Sequence, residues 1–172
     1  FPLFLGIVPT EYQDCVLDHL ITDIVKTHQN HLTTGVLGTK YVIDALVQAG
    51  RADVAYGLAI QTGYPSWAAM VEKYTTLCEF WNLKQSHNHV MMGSIDTFFY
   101  QTLAGIQVDE IHPGFEHMVI RPFVPETLTY AKAAINTIRG QVVSGWTRNE
   151  TSYQYHIMLP ANTTADVYLP VD

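Results

Sequence analysis

One carboxylate stands inside an apolar and aromatic stretch of the chain. Glu79 lies between Cys78 and Phe80 in TTLCEFW, residues 75–81, and Trp81 follows two positions later. Burial beside such neighbours disfavours the ionised form of a carboxyl group, which suits a group that takes or gives a proton near neutral pH. Most glutamates instead remain solvated at a surface. The apolar and aromatic context favours acid–base chemistry for this one.

The residues around Glu79 indicate a sugar as the reactant. Aromatic side chains commonly line small-molecule sites, together with a few polar groups that fix the orientation of the ligand. Trp81 offers such a ring. The neighbouring side chains that could hydrogen-bond to sugar hydroxyls are Thr75, Thr76, Asn82, Asn88 and His89.

Two histidines leave a metal site open as an alternative. His87 and His89 stand in S-H-N-H, and alternation places both on one side of an extended segment. Zinc normally takes three or four protein ligands, and Asp96 is a further candidate only because it is near in the sequence. We therefore expect no metal and no other cofactor. A metal-dependent hydrolase that uses His87, His89 and Asp96 remains a rival interpretation.

Composition excludes two classes of partner. The net charge is -7 with only 9 Lys and Arg, and nucleic-acid binding needs clustered basic residues. No apolar run reaches the length of a membrane span, so we expect no membrane partner. The two cysteines, Cys15 and Cys78, are too few for a disulfide framework, and we expect both to be buried free thiols.

Residues 1–105 have the periodicity of amphipathic helices. The first predicted helix begins with a capping box at Thr10 and Gln13, and its apolar stripe is Tyr12, Val16, Leu20, Ile21, Ile24 and Val25. A second helix ends at Gly50 as its C′ residue, after a loop, residues 31–38, and an N-cap at Thr39. The remaining predicted helices cover residues 52–61, a short stretch after Pro65, and residues 89–104.

Beyond Gly105 the apolar period changes from helical spacing to two. Strands are predicted over residues 117–122, 128–136, 138–146 and 153–159, and a last one begins near Val167, with a hairpin turn at residues 147–150. This pattern predicts an antiparallel sheet or sandwich. The expected domains are residues 1–107 and 108–172. Because the chain begins FPLFLGIVP, like the end of a helix, we also expect it to be a piece of a longer protein.

Taken in order, these stretches resemble the C-terminal part of the α-L-rhamnosidases of glycoside hydrolase family 78. The resemblance covers nearly the whole chain. It rests on the order and spacing of HLTTGVLGT (31–39), AGRADVAY (49–56), GYPSWAAM (63–70), TTLCEFW (75–81), SHNHVMMGS (86–94), AGI (104–106), PGFEHMVIRP (113–122), GQVVSGW (140–146) and PANTTADVYLP (160–170).

The resemblance implies an α+β fragment, in which the closing helices of an (α/α)₆ barrel precede an antiparallel, sandwich-like β-domain. It also implies that Glu79 is the general base and that His89, in the pair Asn88-His89, contacts rhamnose. Trp81 and Asn88 complete the expected substrate-binding set. The sequence departs from the family at Cys78, where Trp is common, and in the short segment between Phe80 and His87.

The implied activity is the inverting hydrolysis of rhamnose-containing glycosides. An inverting glycosidase needs a second carboxylic acid, and the resemblance places that acid in the missing N-terminal part of the barrel. The 172 residues alone are therefore expected to be inactive. The alternative that is not an enzyme is a non-catalytic carbohydrate-binding or structural module. In a binding module, Trp146, Tyr153 and Tyr155 would form a platform for the sugar.

Overall fold

The computed structural model describes residues 1–169, and the end of the predicted last strand, residues 170–172, lies outside the described residues. Two compact units follow one another: the first is Phe1–Ile95 and the second begins at Asp96. Within the described chain, no helix has both the length and the hydrophobicity required to cross a bilayer.

The first four helices occur where the apolar periodicity predicts them. They are α1 (Thr10–Thr22), which continues as a π-helical turn (Asp23–Thr27), then α2 (Val36–Gln48), α3 (Ala52–Ala59) and α4 (Trp67–Tyr74). The helix predicted over residues 89–104 is instead a 3₁₀ turn (Met92–Ser94), the short α5 (Ile95–Thr97) and a π-helical segment (Phe98–Leu103).

One of the three predicted helix ends is correct. Gly50 has φ +73 and its N–H donates to Val47 O at 3.0 Å, while the Arg51 N–H donates to Leu46 O at 2.8 Å. These two bonds form a Schellman motif, which satisfies carbonyls that the end of α2 would otherwise leave free. The glycine is needed because its missing Cβ permits the left-handed conformation.

The two predicted N-caps are wrong. Pro9 precedes α1 as its cap without a side-chain bond, and Gln13 Nε2 instead donates to Val8 O at 3.1 Å. Thr39 lies in the first turn of α2, where Gly35 is the cap, and its buried hydroxyl donates to Gly35 O at 2.9 Å. A threonine within a helical turn can bond to the carbonyl four residues earlier, so its type alone does not mark the start of a helix.

The apolar stripe of α1 is largely exposed. No residue of Thr10–Thr22 is buried, and Tyr12 and Val16 are 58% and 39% exposed. Cys15 lies on the same helix and is exposed as well, so the expectation that it is buried is wrong. Further along the stripe Leu20 and Ile21 are half-buried and Ile24 is buried, so the described residues of the first unit leave mainly its N-terminal half uncovered.

The core of the first unit has two parts. Helices α2 and α3 pack against each other and bury Leu46, Ala55 and Leu58. A second cluster joins Met70 of α4 to Cys78 and Met92. Cys78 is fully buried with a free thiol, as the sequence predicts.

The described part of the second unit contains six strands in two sheets. They are β1 (Ile106–Val108), β2 (His117–Ile120), β3 (Tyr130–Thr137), β4 (Gly140–Arg148), β5 (Tyr153–Met158) and β6 (Thr164–Val167). Strands β3, β4 and β5 form an antiparallel meander, whereas the other sheet has the order β1-β2-β6.

The expectation of a wholly antiparallel β-domain is wrong at one strand pair. Strand β2 is antiparallel to β1 but parallel to β6, in the register His117↔Thr164 to Ile120↔Val167. A hairpin joins neighbouring antiparallel strands, but β6 reaches β2 only after the chain has passed through the other sheet. Strand periodicity is the same in both orientations, so the sequence pattern did not distinguish them.

One face of the β3–β4–β5 meander is buried within the second unit. Val142 of β4 packs with Ile106, Met118 and Ile120 in one apolar cluster. On the same strand, the buried Ser144 Oγ donates to Ala104 O at 2.6 Å, and Trp146 Nε1 donates to Leu103 O at 2.8 Å. These side chains satisfy carbonyls at the end of the π-helical segment, where no further helical turn supplies donors.

Gly105 allows the chain to turn tightly into β1. Its φ is +80, and an added Cβ would lie 2.3 Å from Pro122 N and 2.6 Å from the carbonyl carbon of Arg121. Gly105→Ala is therefore expected to lower the free energy of unfolding by about 3 kcal/mol or more, because backbone atoms would have to move. Urea unfolding of the purified chain measures the change.

Gly50→Ala is the matched control for this substitution. Its φ of +73 is similar, but nothing lies within 4 Å of the added Cβ. The expected loss is only about 1 kcal/mol, from the left-handed conformation itself. Equal losses in the two variants would show that the contact with Pro122 has no effect on stability.

Asp109 makes the stability of the second unit depend on pH. Hydrogen bonds from His112 Nδ1 at 2.8 Å and from the Ile111 N–H at 2.9 Å hold the pKa of this carboxyl below its usual value. The ionised form is thus favoured in the folded state. Its contribution is present above the unfolded pKa of about 4 and is lost as the pH falls through the lower folded pKa. We expect wild type to unfold at a higher temperature than Asp109→Asn at pH 6, and the gap to close as the pH falls below about 4 and through the lower folded pKa. A constant gap across this range in thermal melts would contradict the assignment.

Candidate functional site

Glu79 lies in an irregular segment, residues 75–91, that we call the Glu79 loop. Two backbone bonds close it: the His89 N–H donates to Leu77 O at 2.9 Å, and the Glu79 N–H donates to Ser86 O at 2.8 Å. The loop thus has two arms, and their pairing sets His89 opposite Leu77 and Glu79 opposite Ser86. The sequence predicted both residues, but not this pairing.

The tip of the loop turns through residues with left-handed backbone. Leu83 and Gln85 have φ of 64 and 68, and the Leu83 N–H donates to Phe80 O at 2.9 Å. Asn82 Oδ1 accepts from the Lys84 N–H at 3.1 Å. This compact turn accommodates the short segment between Phe80 and His87.

The carboxylate of Glu79 is half-buried, and it remains accessible beside its loop. Its Oε2 lies 3.5 Å from the Ser86 N–H, which donates weakly to it, and Phe80 is 41% exposed. The apolar neighbours are therefore only partly packed around it: Cys78 points into the core, whereas Phe80 points outward. Within the described residues, desolvation of Glu79 is partial.

Trp81 is anchored by its polar edge. Its Nε1 donates to Thr34 O at 2.7 Å, and its ring meets that of Trp67 edge-on, with centroids 5.6 Å apart and planes at 84°. The residue is half-buried, so part of the ring remains accessible. The segment HLTTG, residues 31–35, therefore has a role that its sequence did not reveal: it holds the indole of the Glu79 loop.

His89 uses one ring nitrogen to accept a hydrogen bond within its loop. The Met91 N–H donates to His89 Nδ1 at 3.4 Å, so the neutral ring carries its proton on Nε2 and can donate from there. Asn88 is exposed, and its backbone is held by Ser86, whose Oγ donates to Asn88 O at 3.2 Å. The side chains of both residues are thus available to a ligand.

The metal interpretation gains no support from these positions. His87 stacks on Tyr74 with ring centroids 4.5 Å apart, and its Nε2 lies 3.2 Å from Leu83 O. Asp96 is exposed and belongs to the second unit. No group of three or more His, Cys, Asp or Glu side chains able to hold a metal ion occurs among residues 1–169.

The proposed aromatic platform of the second unit is not formed by the expected rings. Trp146 is only 2% exposed and belongs to the core. Tyr153 and Tyr155 are tilted by 34° with centroids 6.4 Å apart, so they make no flat surface. Burial, followed by repulsion from Tyr153, raises the pKa of Tyr155, whose hydroxyl is buried without a hydrogen-bond partner among the described residues.

A cavity of about 490 Å³ lies at the hairpin of the second unit. Its lining consists of Thr129 and residues 148–153. Asn149 Oδ1 caps this turn by accepting from the Thr151 and Ser152 N–H groups at 3.0 and 2.8 Å. The turn lies two residues beyond the predicted one, because β4 continues through Arg148. Tyr153 of the expected platform lines this cavity, whereas Glu79, Trp81, Asn88 and His89 do not.

Two family models together match almost the entire chain. The model for the bacterial alpha-L-rhamnosidase 6 hairpin glycosidase domain matches residues 1–103, and the model for the bacterial alpha-L-rhamnosidase C-terminal domain matches residues 105–172.

Individual relatives agree with this assignment. An alpha-L-rhamnosidase of Streptomyces avermitilis is 31% identical over 182 residues, covering 99% of this chain and 17% of that protein. One of Formosa agariphila is 34% identical over 156 residues, covering 83% of this chain and 16% of that protein. The chain thus spans less than a fifth of the length of these relatives.

Solved structures share the fold. The alpha-L-rhamnosidase from Dictyoglumus thermophilum superposes with a TM-score of 0.91 at 38% identity, over 98% of this chain and 20% of that one. The Streptomyces avermitilis enzyme, solved in complex with L-rhamnose, gives a TM-score of 0.91 at 31% identity, over 99% and 18%. The resemblance read from the sequence motifs is confirmed, and the chain belongs to the bacterial α-L-rhamnosidase family.

Proposed function

We propose that this chain is part of an inverting α-L-rhamnosidase and that it supplies the general base, Glu79. The observation that carries the proposal is the pairing within the Glu79 loop, which holds the half-buried Glu79 on one arm and His89 on the paired arm. A related enzyme was solved in complex with L-rhamnose. The substrates would be glycosides with a terminal α-L-rhamnose.

In this mechanism Glu79 acts on water. Its carboxylate takes a proton from a water molecule as the water oxygen bonds to the anomeric carbon, and the bond from that carbon to the leaving oxygen breaks. A second carboxylic acid protonates the leaving oxygen from the other side. The two carboxyl groups of inverting enzymes stand about 6.5–9.5 Å apart, which leaves room for the water. We assign the second acid to an earlier part of the longer protein.

The neighbours of Glu79 would bind the sugar. His89 Nε2–H would donate to a rhamnose hydroxyl, since its Nδ1 accepts from the Met91 N–H. Asn88 offers an amide for a second hydroxyl, and the accessible part of the Trp81 ring would pack on an apolar face of the sugar. Hydrogen bonds of this kind restrain the ring while the anomeric carbon reacts.

We further propose that residues 1–107 form the closing part of an (α/α)₆ barrel and that residues 108–172 form the β-domain that follows it. The exposed stripe of α1, which includes Tyr12 and Val16, supports this. Apolar surface of this extent normally faces a partner. Here the partner would be the N-terminal part of the same barrel.

Glu79→Gln tests the base directly. The amide keeps the shape of the side chain but cannot take a proton, so kcat on an aryl α-L-rhamnoside should fall by about three orders of magnitude or more in the longer protein. Binding of L-rhamnose should be retained. Glu72→Gln on the exposed side of α4 is the matched control and should leave kcat unchanged. Near-wild-type turnover of Glu79→Gln would refute the proposal, and a binding module would behave in that way.

The 172-residue chain alone should not hydrolyse rhamnosides. It contains the proposed base but not the proposed acid, and each proton transfer contributes about 10² to 10⁴ in rate. An assay of the purified chain beside the longer protein checks this expectation. Comparable turnover per mole in the two samples would place both carboxyl groups within these 172 residues.

A further inference from the structure

Trp67 contacts the first arm of the Glu79 loop and the segment that follows the loop. Its ring meets Trp81 edge-on at 5.6 Å, on the arm that carries Glu79. Its Nε1 donates at 3.0 Å to Met92 O, just beyond the arm that carries His89. One side chain therefore links the two stretches that hold the proposed base and the proposed sugar ligand.

The link to His89 runs through a short turn. The Met92 N–H donates to His89 O at 3.1 Å, so a backbone hydrogen bond joins Met92 to His89. Met92 is fully buried, and Trp67 is 6% exposed. A buried carbonyl that loses its donor is costly, so the Met92 turn would shift to find another partner if the indole N–H were removed.

Trp67 is itself held firmly. It is the first residue of α4, whose N-cap Ser66 is buried and accepts from the Ala69 N–H at 3.1 Å. Met70, one turn further along α4, packs in the same cluster as Cys78 and Met92. The backbone that carries the indole is thus fixed by a capped and buried helix start.

We propose that Trp67 is a positioning residue for the rhamnose site, which sets where His89 stands relative to Glu79. This inference rests on the proposed function. Trp67 does not need to touch the substrate, because it acts through the Met92 carbonyl on one side and through the ring of Trp81 on the other. Removing the Trp67 side chain should displace His89 and thereby weaken sugar binding.

The test is a double-mutant cycle in the longer protein, with Trp67→Phe and His89→Ala. Trp67→Phe keeps a ring against Trp81 and removes the bond to Met92 O. We expect a rise of about tenfold in KM for an aryl α-L-rhamnoside and a similar rise in the inhibition constant of free L-rhamnose. In the His89→Ala background, the same change should add less than about half of that effect on a logarithmic scale, because both act on one contact.

Trp146→Phe is the matched control, since it removes an equally buried indole bond to Leu103 O in the second unit. It should leave KM and kcat unchanged. Unaltered KM in folded Trp67→Phe, full additivity with His89→Ala, or an equal effect of Trp146→Phe would each overturn the inference.

A second variant covers the case in which Trp67→Phe does not fold. Ser66→Ala removes the helix cap and keeps the indole, at a cost that folded proteins usually tolerate. We expect a smaller rise in KM in the same direction, and its absence would overturn the inference. If Glu79→Gln retained full activity, the proposed function would fail first. If Glu79 proved essential and these kinetics did not change, the positioning role alone would fail.

Discussion

A buried indole N–H must find an acceptor, and this requirement organises both units of the protein. All three tryptophans donate to a backbone carbonyl far away in the sequence: Trp67 to Met92, Trp81 to Thr34 and Trp146 to Leu103. Each acceptor lies in a loop, a turn or a helix end, where carbonyls lack the partners of regular structure. The large rings fill the core, and the polar edges hold irregular backbone in place.

The proposed site depends on two of these bonds. The Glu79 loop lacks regular secondary structure and is closed by two backbone bonds. Such a segment would be a poor support for catalytic groups, which must be held within a fraction of an ångström. Trp81 ties one arm to the segment before α2, and Trp67 ties Met92, just beyond the other arm, to the start of α4. The helices thereby transmit their rigidity to the loop.

The second unit uses the third bond for a structural purpose. Trp146 and Ser144 on β4 satisfy the carbonyls of Leu103 and Ala104 at the end of the π-helical segment. Gly105 then turns the chain with its α-carbon against the backbone of Pro122. Polar bonds and close backbone approach together place the meander over the β1–β2 pair, and Val142 completes the apolar cluster there.

The sequence by itself determined the kinds of elements and the family. Apolar periodicity predicted the helices of the first unit and the strands of the second, because burial of one face requires that spacing in any helix or strand. Gly50 was recognisable as a helix end because the left-handed conformation at that position favours glycine over other residue types. The order of motifs identified the family, and Glu79, His89, Trp81 and Asn88 were nominated as the site.

Only the tertiary structure decided which residues meet. The parallel pairing of β2 with β6, the exposure of Cys15 and the missing cap at Thr10 depend on neighbours that are distant in the chain. The pairing of Glu79 with Ser86, and the hold of Trp67 on Met92, are likewise invisible to periodicity. The spacing of residues in the sequence predicts which side chains share a face of a helix or strand. Which acceptor a buried donor bonds to depends on the packing of the whole unit.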